Sequence, residues 1–297
     1  RIPNVEHGIP ISLVREVKAL QQIRNPHVIP LHEHFPHGGS VILVMECMTV
    51  DLRQIMARLG EGGRTIPPAM IKSILIMTLK GVDAVHKMNM IHRDLKPANL
   101  LLTRNGILKL ADFGLVRVHD KKQDYTHEVA TRWYRSPSLL FGSRSYGPKV
   151  DMWAVGCIFG EMINHMPLFP GQNDIDQLSV IFESLGTPCV STWPRMVHLP
   201  DYSKISFPKM KPKLLSSILP NASQPALNLI RRLLVYNPAD RPSASEALLD
   251  PYFVSIPAPV HHSRLKPLIN ATQQLAQLRN KTRPSFEFDA PFDVEGL

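Results

Sequence analysis

Two short runs of the sequence combine residue types suited to moving a phosphoryl group. The first run is His92-Arg93-Asp94-Leu95-Lys96-Pro97-Ala98-Asn99, and the second is Asp112-Phe113-Gly114. Phosphoryl transfer needs little covalent help from a protein. It does need a carboxylate to orient the attacking hydroxyl and oxygen ligands to hold Mg²⁺ against a triphosphate. The carboxylates of the two aspartates and the amide of Asn99 are groups of these types.

The elements around the two runs are predicted from hydrophobic spacing. A long helix begins near Pro68 and ends near Asn89, with one apolar face formed by Ile71, Ile74, Leu75, Leu79, Val82 and Val85. Two short strands, 100–103 and 107–111, flank the turn 104–106. Either run alone would be weak evidence. Their order, with strand, turn and strand between them, makes the pair specific.

The rest of the chain predicts a thin strand-bearing start and a large helical body, which is an α+β fold. Helical spacing covers 12–24, and residues 28–35 and 41–47 read as a hairpin. Further helices are predicted at 150–163, 175–185, 225–234 and 243–249. The last forty or so residues predict an extended tail, within which 286–293 alternates aromatic and acidic residues. That alternation is consistent with a solvated tail or with docking on the small lobe or a partner.

Composition argues against several classes of protein. The net charge of +9 comes from scattered basic residues with only short clusters, such as Lys209, Lys211 and Lys213, so we expect no nucleic-acid partner. The three cysteines lie far apart, which argues against disulfides or a zinc site and for a reducing compartment. No apolar run is long enough to cross a bilayer, and no signal peptide is recognisable. These features predict a location in the cytoplasm, the nucleus or both.

From Ser12 to about Phe253 the sequence resembles the eukaryotic protein serine/threonine kinases, because the two runs match the H-R-D-L-x-x-x-N and D-F-G patterns of that family. The resemblance implies a two-lobe kinase fold that uses ATP and Mg²⁺. It implies that Asp94 is the catalytic base, that Lys96 steadies the transferred phosphate, and that Asn99 and Asp112 hold the metal.

Finer markers resemble the cyclin-dependent kinases, and residues 35–39 and 199–207 look most like their cell-cycle-related kinase subgroup. The segment 10–16 is similar to the helix that meets a cyclin, and Thr126 is similar to the activation-loop phosphosite that an upstream kinase modifies. The resemblance implies that a phosphate on Thr126 is held by three arginines, namely Arg15, Arg93 and Arg117. Arg135 is similar to the residue that shapes a pocket for proline after the target serine or threonine, so substrates with Ser/Thr-Pro are expected.

The nucleotide side of the site is incomplete in this sequence. The resemblance assigns the adenine-binding hinge to Glu46 and Met48, and Met45 is either the residue before the hinge or plain core filling. No G-x-G-x-x-G loop and no V-A-I-K lysine precede Glu16, which belongs to the ATP site and would pair with that lysine. The first residue is Arg1 rather than methionine, so we expect an N-terminal truncation. The 297 residues alone are therefore predicted to bind ATP weakly and to transfer phosphate poorly.

The sequence also predicts domain boundaries, and it differs from the kinase pattern at one further position. The pattern predicts a small-lobe remnant at 1–48, a large lobe at 49–256 and a tail at 257–297. Ser138 stands where the family has the glutamate of A-P-E, and the resemblance implies that this glutamate pairs with Arg241. Arg241 is thus predicted to lack its partner. Two functions stay open: a protein kinase, or a pseudokinase that acts as a binding scaffold.

Overall fold

The computed structural model describes residues 10–37, 40–119 and 132–272. It opens with helix α1, Ile11–Gln22, followed by the antiparallel strands β1, Leu31–His37, and β2, Ser40–Met45. Helix α1 was predicted at 12–24 and buries Leu13, Ala19 and Leu20. The hairpin is shifted from the prediction because Val28 leaves it and bridges to Leu110 instead. The pairing of β1 with β2 extends to His37, which lies opposite Ser40.

The short strands and the first helices of the body surround the two sequence runs. In chain order they are β3, Val50–Asp51; α2, Leu52–Glu61; α3, Pro68–Lys87; β4, Met90–Ile91; β5, Leu100–Leu102; β6, Leu108–Leu110; and β7, Arg117–Val118. Strands β3, β5 and β6 form one sheet in that order, and β4 pairs with β7. The predicted strand pair before Asp112 is therefore confirmed, with slightly shorter strands.

The remaining helices build the body of the fold. They are α4, Pro137–Leu140; α5, Lys149–Asn164; α6, Asp174–Leu185; α7, Leu215–Ile218; α8, Gln224–Leu233; and α9, Ala244–Leu248. Every residue of α5 from Val150 to Ile163 is buried, so this helix lies at the centre. None of the helices within the described ranges is long and apolar enough to cross a membrane.

Helix α3 supports the strands that carry the site. All six apolar residues predicted to line its face are at most 4% exposed. A Cβ on Gly81 would lie 2.6 Å from the carbonyl oxygen of His27, so only glycine lets α3 approach this backbone so closely. Since the amide of Leu110 in β6 donates to the same carbonyl at 2.9 Å, α3, the 27–28 segment and β6 form one packed unit.

Part of the region predicted as an extended tail is packed instead. Residues 262–265 form a 3₁₀ helix in which Leu265 is fully buried, and Ile269 is also buried. The His262 carbonyl lies against Gly106, whose φ of 84° makes the tight turn between β5 and β6. The apolar residues at 265–269 explain this packing, whereas the prediction gave more weight to the prolines and polar residues around them.

Candidate active site

The two strand pairs bring the two sequence runs together. Strand β4 ends just before His92 and pairs with β7, which follows the Asp112 run. Strand β5 begins just after Asn99 and pairs with β6, which ends just before the same run. The amide of Ala111 donates to the carbonyl of Asn99 at 3.0 Å. Because both ends of each run are paired, Asn99 and Asp112 must lie side by side.

Four predicted residues meet in one cluster. The Nζ of Lys96 lies 2.6 Å from Oδ2 of Asp94, which is only 7% exposed. The Nδ2 of Asn99 donates to the Asp94 carbonyl at 2.8 Å, to Asp94 Oδ2 at 3.1 Å and to Asp112 Oδ2 at 3.3 Å. Asn99 therefore links the two carboxylates, and Lys96 balances part of their charge.

Asp151, a residue to which the sequence assigned no part in the site, fixes the loop before Asp94. It lies in the first turn of α5, and its carboxylate accepts hydrogen bonds from the backbone amides of His92 and Arg93, both at 2.9 Å. The Nε2 of His86 lies 2.8 Å from the same carboxylate. Burial raises the pKa of Asp151, but the hydrogen bond from His86, the two nearby histidines and the Arg93 amide together hold the pKa below its usual range. The sequence signal was an acidic residue in the first turn of a mostly apolar helix.

His92 is a packed residue whose burial favours the neutral imidazole. It is fully buried, its ring centroid lies 4.8 Å from that of Phe113, and burial lowers its pKa. Its Nε2 lies 3.1 Å from the Ala111 carbonyl, and its Nδ1 accepts from the amide of Asp94 at 3.3 Å. The imidazole thus links the two runs.

Backbone conformation also marks these loops. Arg93 has a φ of 69° and Asp112 a φ of 64°, in the left-handed region that costs non-glycine residues about 1 kcal/mol or more. The hydrogen bond from Arg93 N–H to Asp151 offsets this cost at the first position. At the second, the amide of Phe113 donates to the carboxylate of Glu16.

Glu16 reaches the Asp112 run from α1. Burial, together with the charge of Asp112, raises its pKa. No basic side chain in the described ranges lies within ion-pair distance of Glu16. Two carboxylates therefore face each other here without a cation from the described residues.

Arg135 lies near Asp94, and both residues line one small cavity. It is 8% exposed, and its Nη1 lies 3.6 Å from Oδ1 of Asp174 at the start of α6. Arg132 holds the same oxygen at 3.0 Å. A small cavity of about 20 Å³ is lined by both Asp94 and Arg135, together with Tyr134. The residue predicted to shape substrate choice is therefore a neighbour of the predicted base.

Comparison with known proteins agrees with this geometry. Residues 3–253 match the family model described as the protein kinase domain. The chain belongs to the protein kinase family. Among its relatives, cyclin-dependent kinase 20 from Danio rerio is 46% identical over 290 residues, covering 97% of this kinase and 83% of the relative. Cyclin-dependent kinase 20 from Mus musculus is 50% identical, covering 88% and 75%.

Other matches place the kinase in the same group. Cyclin-dependent kinase 7 from Xenopus laevis is 46% identical, covering 85% of this kinase and 70% of the relative. A crystal structure of the yeast RNA Pol II CTD kinase CTDK-1 complex contains a chain that superposes with a TM-score of 0.80 at 33% identity, covering 86% and 85%. The predicted kinase fold and the resemblance to cyclin-dependent kinases are therefore confirmed.

The segment predicted to be the hinge follows β2. The carboxylate of Glu46 pairs with Nζ of Lys109 in β6 at 2.9 Å. The backbone of Glu46 lies in the segment between β2 and β3. Met48 is partly buried against the core, while Met45 is 38% exposed. The side chain of Glu46 thus has a structural partner, and its proposed contact with adenine concerns the backbone only.

The three arginines predicted to hold a phosphate can be followed only in part, because Thr126 lies outside the described residues. Arg93 donates from Nε to the Leu115 carbonyl at 2.6 Å and from Nη1 to the Tyr146 hydroxyl at 2.7 Å. Arg117 is 8% exposed in β7, and Arg15 is partly buried in α1. Their convergence on Thr126 stays a prediction.

The oxygen groups at the Asp112 run fit a magnesium ion. Within the described ranges, no group of three or more His, Cys, Asp or Glu side chains could hold a metal. Mg²⁺ does not require such a group, because it keeps several waters and is commonly held by one or two carboxylates together with substrate phosphates. Asp112 offers a carboxylate, and the Asn99 amide, which now turns its nitrogen to Asp112, offers an oxygen after an amide flip.

Arg241 has no carboxylate partner among the described residues, and its pairing across from position 138 stays a prediction. The guanidinium is 1% exposed and donates to the carbonyls of Val235, Lys149 and Tyr236 at 2.7, 2.9 and 2.9 Å. It also lies 5.0 Å from the ring of Trp153. Burial lowers the pKa of Arg241 to about 9. Each of its three nitrogens therefore has one carbonyl acceptor, but no carboxylate in the described ranges balances its charge.

Proposed function

We propose that this kinase transfers the γ-phosphate of ATP to serine or threonine, with a preference for a following proline. The observation that carries the proposal is the cluster in which Asn99 bonds to both Asp94 and Asp112 while Lys96 pairs with Asp94. This hydrogen-bonded group contains the Asp94 carboxylate, the Lys96 ammonium, and side-chain oxygens of Asn99 and Asp112 that are suitable ligands for Mg²⁺. Such a combination suits phosphoryl transfer better than any other reaction class.

Each side chain has a separate task. Asp94 accepts a hydrogen bond from the attacking hydroxyl and orients it, which is why its low exposure and its tie to Asn99 matter. Lys96 turns from Asp94 to the transferred phosphate and stabilises the charge that develops there. Asn99 and Asp112 would hold Mg²⁺, which would supply positive charge against the phosphates.

The nucleotide and the substrate approach from opposite sides of this cluster. The backbone of Glu46 and Met48 would hold adenine, and Glu16 lies beside Asp112 on the nucleotide side. On the other side, Arg135, fixed by Asp174, shapes the pocket for the residue after the phosphorylated one. A proline there needs no backbone N–H partner, which favours Ser/Thr-Pro sequences.

Activation is proposed to need two proteins. A cyclin-like partner covers α1, where Ile11 is 65% and Val14 is 37% exposed. An upstream kinase phosphorylates Thr126, and Arg15, Arg93 and Arg117 bind the phosphate. Several relatives carry the name cyclin-dependent kinase, which supports the proposal of a cyclin-like partner.

We further propose that the kinase acts in the cytoplasm, the nucleus or both. Its proposed division is a small-lobe part at 1–48, a large lobe at 49–256 and a C-terminal segment at 257–297.

A peptide assay tests the substrate proposal. The protein purified from the cells that make it is given Mg²⁺-ATP and two peptides that differ only in Ser-Pro against Ser-Ala. We expect kcat/KM for Ser-Pro to be higher by about tenfold or more, equivalent to at least about 1.4 kcal/mol. Arg135→Lys, which keeps the charge but not the planar fork, should reduce this ratio. Equal rates on both peptides would contradict the preference.

A second candidate function is a binding scaffold, favoured by one observation. Glu16 and Asp112 face each other with no basic partner in the described part of the chain. The 297-residue chain is therefore expected to bind Mg²⁺-ATP weakly. Calorimetric titration of that chain, beside the protein purified from cells, separates the alternatives. Weak binding by both favours the scaffold, whereas tight binding and turnover by the cellular protein favour the enzyme.

A further inference from the structure

A cavity on the helical body has no part in the proposed reaction. Its volume is about 430 Å³, and it lies between the end of α6, the loop after 209 and the end of α8. Its apolar lining includes Leu185, Leu215, Leu234 and Tyr236, and Leu214 at the rim is 76% exposed. This volume is large enough for one or two aromatic side chains.

The walls of this cavity are fixed by hydrogen bonds. The hydroxyl of Tyr236 donates to the Gly186 carbonyl at 2.6 Å, and the amide of Lys213 donates to the Ser184 carbonyl at 3.0 Å. Gly186 has a φ of 81°, and a Cβ there would lie 2.9 Å from Pro212. The loop is thus held tightly against the end of α6, so an occupant would find the cavity already formed, at little ordering cost.

The rim of the cavity is basic. Lys213 and Arg231 line it, and Lys209 and Lys211 lie just before it in the same loop. All four are exposed, and none has a carboxylate partner within the described ranges. Three of the four lie within five residues, at 209, 211 and 213. An apolar floor with a cationic rim fits a segment that combines aromatic and acidic side chains.

We propose that the C-terminal segment 286–295 of this same chain docks in the cavity. The segment places Phe286, Phe288 and Phe292 among four acidic residues and has no lysine or arginine. The acidic residues are Glu287, Asp289, Asp293 and Glu295. Phenylalanine rings fill the apolar floor, and the carboxylates pair with the lysines and Arg231 at the rim.

The chain between the described residues and the segment limits how far the segment reaches. Thirteen residues lie between Thr272, the last described residue, and Phe286, which makes fourteen residue-to-residue steps. Fully extended, they span up to about 50 Å, which matches the width of a compact fold of this size, about 50 Å. A tethered segment also has an effective concentration of about a millimolar, so modest affinity is enough for occupancy.

Disulfide trapping in the full chain tests the docking. Val294→Cys offers a thiol in the segment, and the exposed native Cys189 and Cys47 serve as test and control. Cys189 lies beside the cavity, because its amide donates to the hydroxyl of Thr192, a lining residue. After correction for the reactivity of each thiol with glutathione disulfide, we expect trapping at Cys189 to exceed trapping at Cys47 by about tenfold.

Charge variants make the test specific. Lys211→Glu with Lys213→Glu should reduce trapping at Cys189 by about fivefold to tenfold at low salt. Adding Glu287→Lys and Asp289→Lys should restore it. Lys18→Glu with Lys80→Glu, a matched change at other exposed lysines, should have no effect, and thermal melts establish that each variant folds. Equal trapping at both cysteines, trapping only between two chains, or insensitivity to the charge changes would overturn the proposal.

Discussion

Replacing Ser138 with glutamate should stabilise this kinase by giving Arg241 the opposite charge that it lacks. Burial lowers the pKa of Arg241 to about 9. At about 1.4 kcal/mol per pKa unit, this drop from the ordinary value of arginine corresponds to roughly 5 kcal/mol for burying the charge. A new carboxylate recovers only part of this, because it also loses its own hydration.

We therefore expect Ser138→Glu to raise the free energy of unfolding by about 1–2 kcal/mol, or Tm by about 3–6 °C for a domain of this size. Differential scanning calorimetry at pH 7 measures the change. Adding Arg241→Met to the variant should abolish the gain, because the new carboxylate then has no partner.

Ser136→Glu is the matched control. Ser136 is fully buried, and its hydroxyl lies 3.1 Å from that of Ser138. A glutamate there buries an unpaired charge and should lower Tm. The reasoning would be refuted if Ser138→Glu lowered Tm as much as this control, because position 138 would then not face Arg241.

Three further predictions follow from single residues. Glu16→Gln should raise Tm at pH 7 but not at pH 4. Because the pKa of Glu16 is raised in the folded protein, its ionisation costs stability as the pH rises above the ordinary pKa of glutamate. An equal gain in Tm at both pH values would contradict this. Alkylation of Cys189 should increase through a midpoint near pH 7, because the hydroxyls of Ser191 and Thr192 lower its pKa to about 7, and Ser191→Ala should move the midpoint upward. Asp151→Asn should destabilise the kinase by about 2–3 kcal/mol in urea unfolding, because its hydrogen-bond donors lose a charged acceptor.

Much of the site could be predicted because its residues lie close together in the sequence. The runs around Asp94 and Asp112 are separated by a short strand pair, so local pairing alone brings Asn99 to Asp112. The apolar spacing of α3 gave its buried face for the same reason. Periodicity reports which face of a helix packs, and here every predicted position was buried.

Long-range contacts could not be predicted in this way. The support that Asp151 and His86 give to the loop before Asp94 joins residues about sixty positions apart, and no spacing rule specifies it. The packing of Leu265 and Ile269 was hidden by the polar and proline-rich sequence around them. Val28 also left the predicted hairpin, because its bridge to Leu110 depends on where α3 lies.

The most direct test of the account is phosphate transfer by an Asp94→Asn variant of the protein purified from cells with its partner. The assay measures labelled phosphate passing from Mg²⁺-ATP to a Ser-Pro peptide. We expect kcat to fall by about 10²–10⁴-fold, while Tm and Mg²⁺-ATP affinity stay close to those of the unaltered protein. Transfer that persists in the variant, or no transfer by the unaltered protein, would contradict the assignment of Asp94 as the catalytic base.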